Sequence, residues 1–156
     1  MRKFVSALTV AGVAAIMSAE AIDTDVYVVN FRNNASAESQ SLDGQVSSAI
    51  ALSGVNAEEV TIDTSTAALW EKSAHEAFDR DIVPIFNKWV GLPGFVAIVD
   101  ANTKKVIGCV NSTFSTNEMA AEMRDMASKA KGQAFLSRAS TKTKTTTCPA
   151  AHNIEP

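Results

Sequence analysis

Ser36 and Ser39 stand three residues apart where a strand-like apolar run, Val28-Val29-Asn30-Phe31, breaks into the polar loop Arg32-Asn33-Asn34-Ala35 and a helix begins. A helix start carries unpaired N–H groups and the positive end of the helix dipole. Hydroxyls there suit hydrogen bonding to a substrate carbonyl or a bound thiol. The same hydroxyls, or the Asn34 side chain, also serve as helix caps, and Glu38 suits a first helical turn. Covalent chemistry asks for more. A serine attacks only when an adjacent base takes its proton, and this loop has no histidine and a single carboxylate, Glu38. Asn34, Ser36 and Ser39 are therefore candidate binding residues, and no catalytic residue is assigned.

The remaining reactive side chains are few. Cys109 and Cys148 either form a disulfide or stand as one buried strand thiol and one tail thiol. Cys148 and His152 lie within reach of each other, but two ligands do not make a zinc site. No metal or other cofactor is implied. His75 is flanked at four-residue spacing by Glu71 and Asp79, the pattern of a solvated helix face. Asn34-Ala35-Ser36 and Asn111-Ser112-Thr113 both match the N-glycosylation acceptor.

The elements that would hold these residues follow from the hydrophobic pattern. Val26–Phe31 is β-branched, aromatic and almost continuously apolar, which predicts a central strand covered on both faces. Leu42, Val46, Ala49 and Ile50 recur at helical spacing, and Gly54 supplies a stop. Glu59–Asp63 reads as a second strand, parallel to the first across that helix. From Thr64 to Trp89 an apolar face is interrupted by Pro84, so two successive helical pieces are expected. Phe95–Val99 and Val106–Val110 flank the polar stretch Asp100–Lys105 and predict an antiparallel hairpin. Ser115 and Glu118 form a capping-box pattern ahead of Met119, Met123, Met126, Ala127 and Ala130, which predicts a last helix from about Thr116 to near Gly132 with a methionine core stripe.

The ends of the 156-residue chain differ from its middle. Met1-Arg2-Lys3 is basic, Phe4–Met17 is apolar, and Ala19-Glu20-Ala21 has a small-x-small form, so residues 1–21 read as a signal peptide rather than a permanent anchor. Residues 22–136 form the expected domain. Residues 137–156, rich in Ser, Thr and Lys with no apolar period, read as a flexible tail. A secreted or periplasmic location follows, with no stable membrane span after cleavage. The net charge of −3 becomes one unit more negative once Arg2, Lys3 and Glu20 are removed. With no basic stripe, nucleic acid is not expected as a partner.

The order β-α-β-α-β-β-α predicts an α/β fold, a central mixed sheet of about four strands with helices on both faces. Two stretches resemble the thioredoxin-like superfamily. Gly91-Leu92-Pro93-Gly94, leading into Phe95–Val99, resembles the Gly-x-Pro segment of thioredoxins, whose proline forms a cis peptide opposite the active-site loop. Asn30-Phe31 is similar to the Asp-Phe that ends the thioredoxin central strand, and this register sets Ser36-Ala37-Glu38-Ser39 over the family's Cys-Gly-Pro-Cys. The resemblance covers residues 24 to 132. It implies a cis bond at Pro93, a Leu92 backbone exposed as a strand-like edge, and a cleft where Ser36 faces Pro93. Dithiol exchange needs one thiol to attack and another to resolve, and neither is present here. The expectation is thus an exported, redox-inactive thioredoxin-like domain that binds an extended peptide or partner protein through Asn34, Ser36, Ser39, Leu92 and Pro93. The alternative is a thiol-linked enzyme, glutathione- or peroxide-related, that uses Ser36 or an accessible, acidic Cys109.

Overall fold

A computed structural model describes residues 24–132 and 147–151. The expected leader, and the tail apart from residues 147–151, lie outside the described residues, as does His152. The elements run β1 (Val26–Arg32), α1 (Ala37–Ser53), β2 (Ala57–Asp63), α2 (Ala67–Asp79), α3 (Val83–Trp89), β3 (Phe95–Asp100), β4 (Val106–Asn111) and α4 (Thr116–Ala130). They build one open, mixed, four-stranded sheet of order β2-β1-β3-β4. β1 pairs parallel with β2 and antiparallel with β3, and β4 closes the hairpin antiparallel to β3. This α/β architecture is consistent with a thioredoxin-like fold.

β1 is interior because its side chains are apolar on both faces. Val26 and Val28 join Val96, Ile98 and Val110 against Leu42, Val46 and Ala49 of α1 and the Met119, Met123, Met126 stripe of α4. Val29 and Phe31 point the other way, into a cluster with Val60, Ile62, Ile85, Phe86, Trp89 and Phe95 beneath α2 and α3. The alternation required by a pleated strand thus feeds two cores at once.

Local signals set the helix ends. Gly54 adopts φ 65° at the close of α1, a conformation that a side chain would strain. α1 has no basic residue in its last turn, and Arg124 of α4 supplies the missing cation, donating from Nε to Ser53 O and from a terminal guanidinium nitrogen to Leu52 O, both at 3.0 Å. Pro84 sits in the first turn of α3, where its missing N–H costs nothing. Ser115 and Glu118 complete the capping box of α4. Among the described residues no helix is long and apolar enough to cross a membrane.

One expectation is corrected. The Leu92–Pro93 bond is trans, and no cis peptide bond occurs among the described residues. The chain reverses by another route: Gly91 at φ 86° and Gly94 at φ 90° flank the dipeptide, and each takes a turn that other residues resist. Leu92 N–H donates to Trp89 O at 3.0 Å, so its backbone does not form the free strand-like edge that a cis bond would have exposed.

Candidate functional site: the loop end of the sheet

The two segments singled out by the sequence do meet. β1 and β3 pair through Phe31 and Phe95, and Gly94 N–H extends the ladder by donating to Phe31 O at 2.9 Å. A β-carbon added at Gly94 would lie 2.9 Å from Glu38 Cβ and 3.9 Å from Ser36 Oγ. The start of α1 and the turn after Pro93 are therefore in van der Waals contact at Gly94, with Pro93 trans, rather than facing each other across a cleft at a cis Pro93.

Within the loop, every amide from Asn33 to Ser36 already has an acceptor. Asn33 N–H donates to Ser39 Oγ (3.1 Å), Asn34 N–H to Ser65 Oγ (2.8 Å), Ala35 N–H to Asn33 Oδ1 (2.9 Å) and Ser36 N–H to Asn33 O (2.9 Å). Ser36 is the N-cap of α1. Its Oγ accepts from Ser39 N–H at 3.3 Å and donates to Glu38 Oε2 at 2.9 Å. Ser39 is fully buried with its hydroxyl turned back to the loop. The Glu38 carboxyl is held below its ordinary value, first by its own backbone N–H and then by the Ser36 hydroxyl. A carboxylate whose proton affinity is lowered is a poorer general base for Ser36. The helix start is thus filled from within by Glu38, and the serine pair is a cap.

Sequence reasoning missed the charged girdle behind this loop. Asn30 and Arg32 follow Val26 and Val28 on the α1 face of β1. Asn30 is buried and donates Nδ2 to Asp43 Oδ1 at 3.3 Å, while its own Oδ1 has no partner. The Arg32 guanidinium lies 3.1 Å from Asp43 and 3.3 Å from Asp63, and donates to Asn34 Oδ1 at 2.7 Å. Asp63 also accepts from the backbone and hydroxyl of Ser65. One arginine thus ties α1, the end of β2 and the loop together. The available signal was the alternation Val26, Val28, Asn30, Arg32, which puts two polar residues where α1 must cover them.

Arg32 and Asp63 continue into a cleft of about 440 Å³ along the edge strand β2, lined also by Glu59, Thr61, Lys72 and Arg80. At its loop end Asp63 exchanges hydrogen bonds with Ser73 Oγ of α2, donating N–H at 2.8 Å and accepting at 3.2 Å. That contact blunts the sheet edge at one point. Asn34, Glu38, Gly91 and Pro93 are exposed around the loop, while Leu92 is half-buried against the aromatic core.

The two cysteines resolve to the first of their readings. Cys109 and Cys148 form a disulfide across a separation of 39 residues, and Cys109 is 3% exposed. It offers no thiolate to the thiol-linked enzyme reading. His75 is exposed on α2, and no group of three or more metal-ligating side chains occurs among the described residues. Asn34 and Asn111 are both exposed, and each holds a local hydrogen bond through Oδ1. No protein-family model, curated protein or solved structure matches the chain.

Proposed function

We propose that the chain is an exported, thioredoxin-like domain without dithiol chemistry that works by binding an extended peptide or a partner protein at the loop end of its sheet. The observation that carries this reading is the contact between the cap of α1 and the Gly94 turn, closed by internal hydrogen bonds and bordered by the cleft along β2. A loop whose backbone amides from Asn33 to Ser36 are all engaged is a rigid platform, and a rigid platform binds at low entropic cost. Asn34, Glu38 and Pro93 present its exposed side chains, and Ser36 and Ser39 hold its shape. Export rests on the leader at residues 1–21 and agrees with a disulfide, which persists in oxidising compartments.

Two measurements test the reading. In an insulin-reduction assay with fresh reductant the protein gives no turnover above the uncatalysed rate, and clear turnover overturns the proposal. In a pull-down from its native compartment, Pro93→Ala loses a partner that the unaltered protein retains. Identical recovery by the two proteins removes the Pro93 turn from the binding surface.

A further inference from the structure

Cys148 and Pro149, 39 and more positions beyond Cys109 in sequence, lie against the aromatic cluster under α3, while Ala150 and Ala151 are exposed. Among the described residues, two contacts hold this segment. Cys148 is bonded to Cys109 of β4 and packs on the cluster that includes Val90, Leu92 and Val106. One residue further on, Pro149 O accepts from Trp89 Nε1 at 3.0 Å. Trp89 is completely buried, edge-on to both Phe31 and Phe95, with Lys88 Nζ 4.4 Å from its ring centroid. Its only polar atom therefore faces the tail. An indole N–H beside an apolar floor, aimed at a proline carbonyl, is chemistry that suits recognition of proline-containing peptides.

We propose that the surface covered by Cys148 and Pro149, beside Trp89 and Cys109, is a site for proline-containing peptides that the chain's own tail fills in cis, and that a dithiol opens it to a peptide in trans. The dithiol gives two electrons to the Cys109–Cys148 bond and becomes a cyclic disulfide, and its two protons pass to the Cys109 and Cys148 thiols. Freed of its bridge, the described segment keeps the Pro149–Trp89 hydrogen bond and the apolar contact of Cys148, so a peptide of the same pattern competes with it. The site borders the loop-end platform at Leu92, and neither test below substitutes Asn34, Ser36, Ser39, Leu92 or Pro93.

The full chain carrying Cys148→Ser, which leaves Cys109 as a free thiol, is incubated in a glutathione buffer with the heptapeptide Thr-Thr-Thr-Cys-Pro-Ala-Ala. A second sample receives the scramble Thr-Ala-Cys-Thr-Ala-Thr-Pro. Intact mass reports the mixed disulfide on Cys109. Capture of the ordered peptide should exceed the scramble by at least about tenfold because the covered surface pre-organises it, and Trp89→Phe should erase most of that preference. Equal capture of the two peptides, or capture of neither by a folded chain, overturns the proposal. A second measurement needs no cysteine variant. In the Trp70→Phe chain, addition of a dithiol should red-shift the emission of Trp89 as water reaches Nε1. An unchanged spectrum with the bridge demonstrably reduced shows a tail that does not leave, and the trans site is then abandoned.

Discussion

Gly94→Ala interrogates the contact on which the loop-end platform depends. The substitution fails for two separable reasons. At φ 90° an alanine is held in backbone space that L residues avoid, at a cost of about 1–2 kcal/mol. Its new methyl would also sit 2.9 Å from Glu38 Cβ, an atom fixed to the first turn of α1, so relief requires a backbone shift worth about another 1–2 kcal/mol. The total, about 2–4 kcal/mol, is readable by urea unfolding followed by far-UV circular dichroism, as a lower midpoint at unchanged m. A second change separates the parts. Glu38→Gly deletes the opposing β-carbon and by itself costs about 1 kcal/mol in helix propensity. In that background Gly94→Ala should retain only the conformational cost, leaving a coupling of about 1–2 kcal/mol between residues 56 positions apart in sequence. Additive effects, or a Gly94→Ala cost below about 0.5 kcal/mol, would mean that the cap of α1 and the Gly94 turn do not touch.

Other perturbations reach different parts of the molecule. Gly108→Ala brings a β-carbon to 2.7 Å from Met126 Cε, closer than the Gly94 clash, yet it should destabilise by less, about 1 kcal/mol, because the far end of a methionine swings aside; a larger loss than Gly94→Ala in the same urea series refutes that ranking. Removing the Cys109–Cys148 bridge frees a loop of 39 residues in the unfolded chain, for which loop-closure entropy gives about 4 kcal/mol; thermal unfolding of the Cys109→Ala, Cys148→Ala double variant should show it, and a melting temperature unchanged from wild type excludes a structural bridge. Glu122 of α4 has its carboxyl raised above the ordinary value, by burial first and by Asp125 second. A raised carboxyl favours folding in its protonated form, a contribution present below the unfolded value of 4.5 and lost as pH rises through the folded one. Glu122→Gln should therefore raise the melting temperature at pH 7 and leave it unchanged near pH 3, with equal shifts at both pH values counting against this origin.

The architecture was legible wherever its cause is local. Continuous hydrophobicity in Val26–Phe31 announced an interior strand, Pro84 divided α2 from α3, and Ser115 with Glu118 marked the start of α4. The approach of the Ser36 loop to the turn at Gly94 was implied by the resemblance to thioredoxins rather than by a local pattern. What stayed hidden depends on partners distant along the chain. The alternation Val26, Val28, Asn30, Arg32 marks polar residues under α1 but does not reveal that Asp43 and Asp63 converge on Arg32 from a helix and a second strand. Pairing between Cys109 and Cys148 remained one of two readings because a tail without apolar period gives no hint of where it lands. The trans bond at Pro93 was missed for another reason: the paired glycines at positions 91 and 94 supply backbone freedom that makes a cis peptide unnecessary.

The division of the interior into two unlike halves decides what an optical experiment on this protein can witness. Both tryptophans and the lone tyrosine belong to the half under α2 and α3, whereas the half between α1 and α4 is built from aliphatic and methionine side chains with Phe114. Intrinsic emission is therefore a one-sided reporter. Loosening of α4 would pass unseen in a fluorescence melt and show in amide exchange or helical ellipticity, so agreement between those signals is the condition for treating unfolding as a single step.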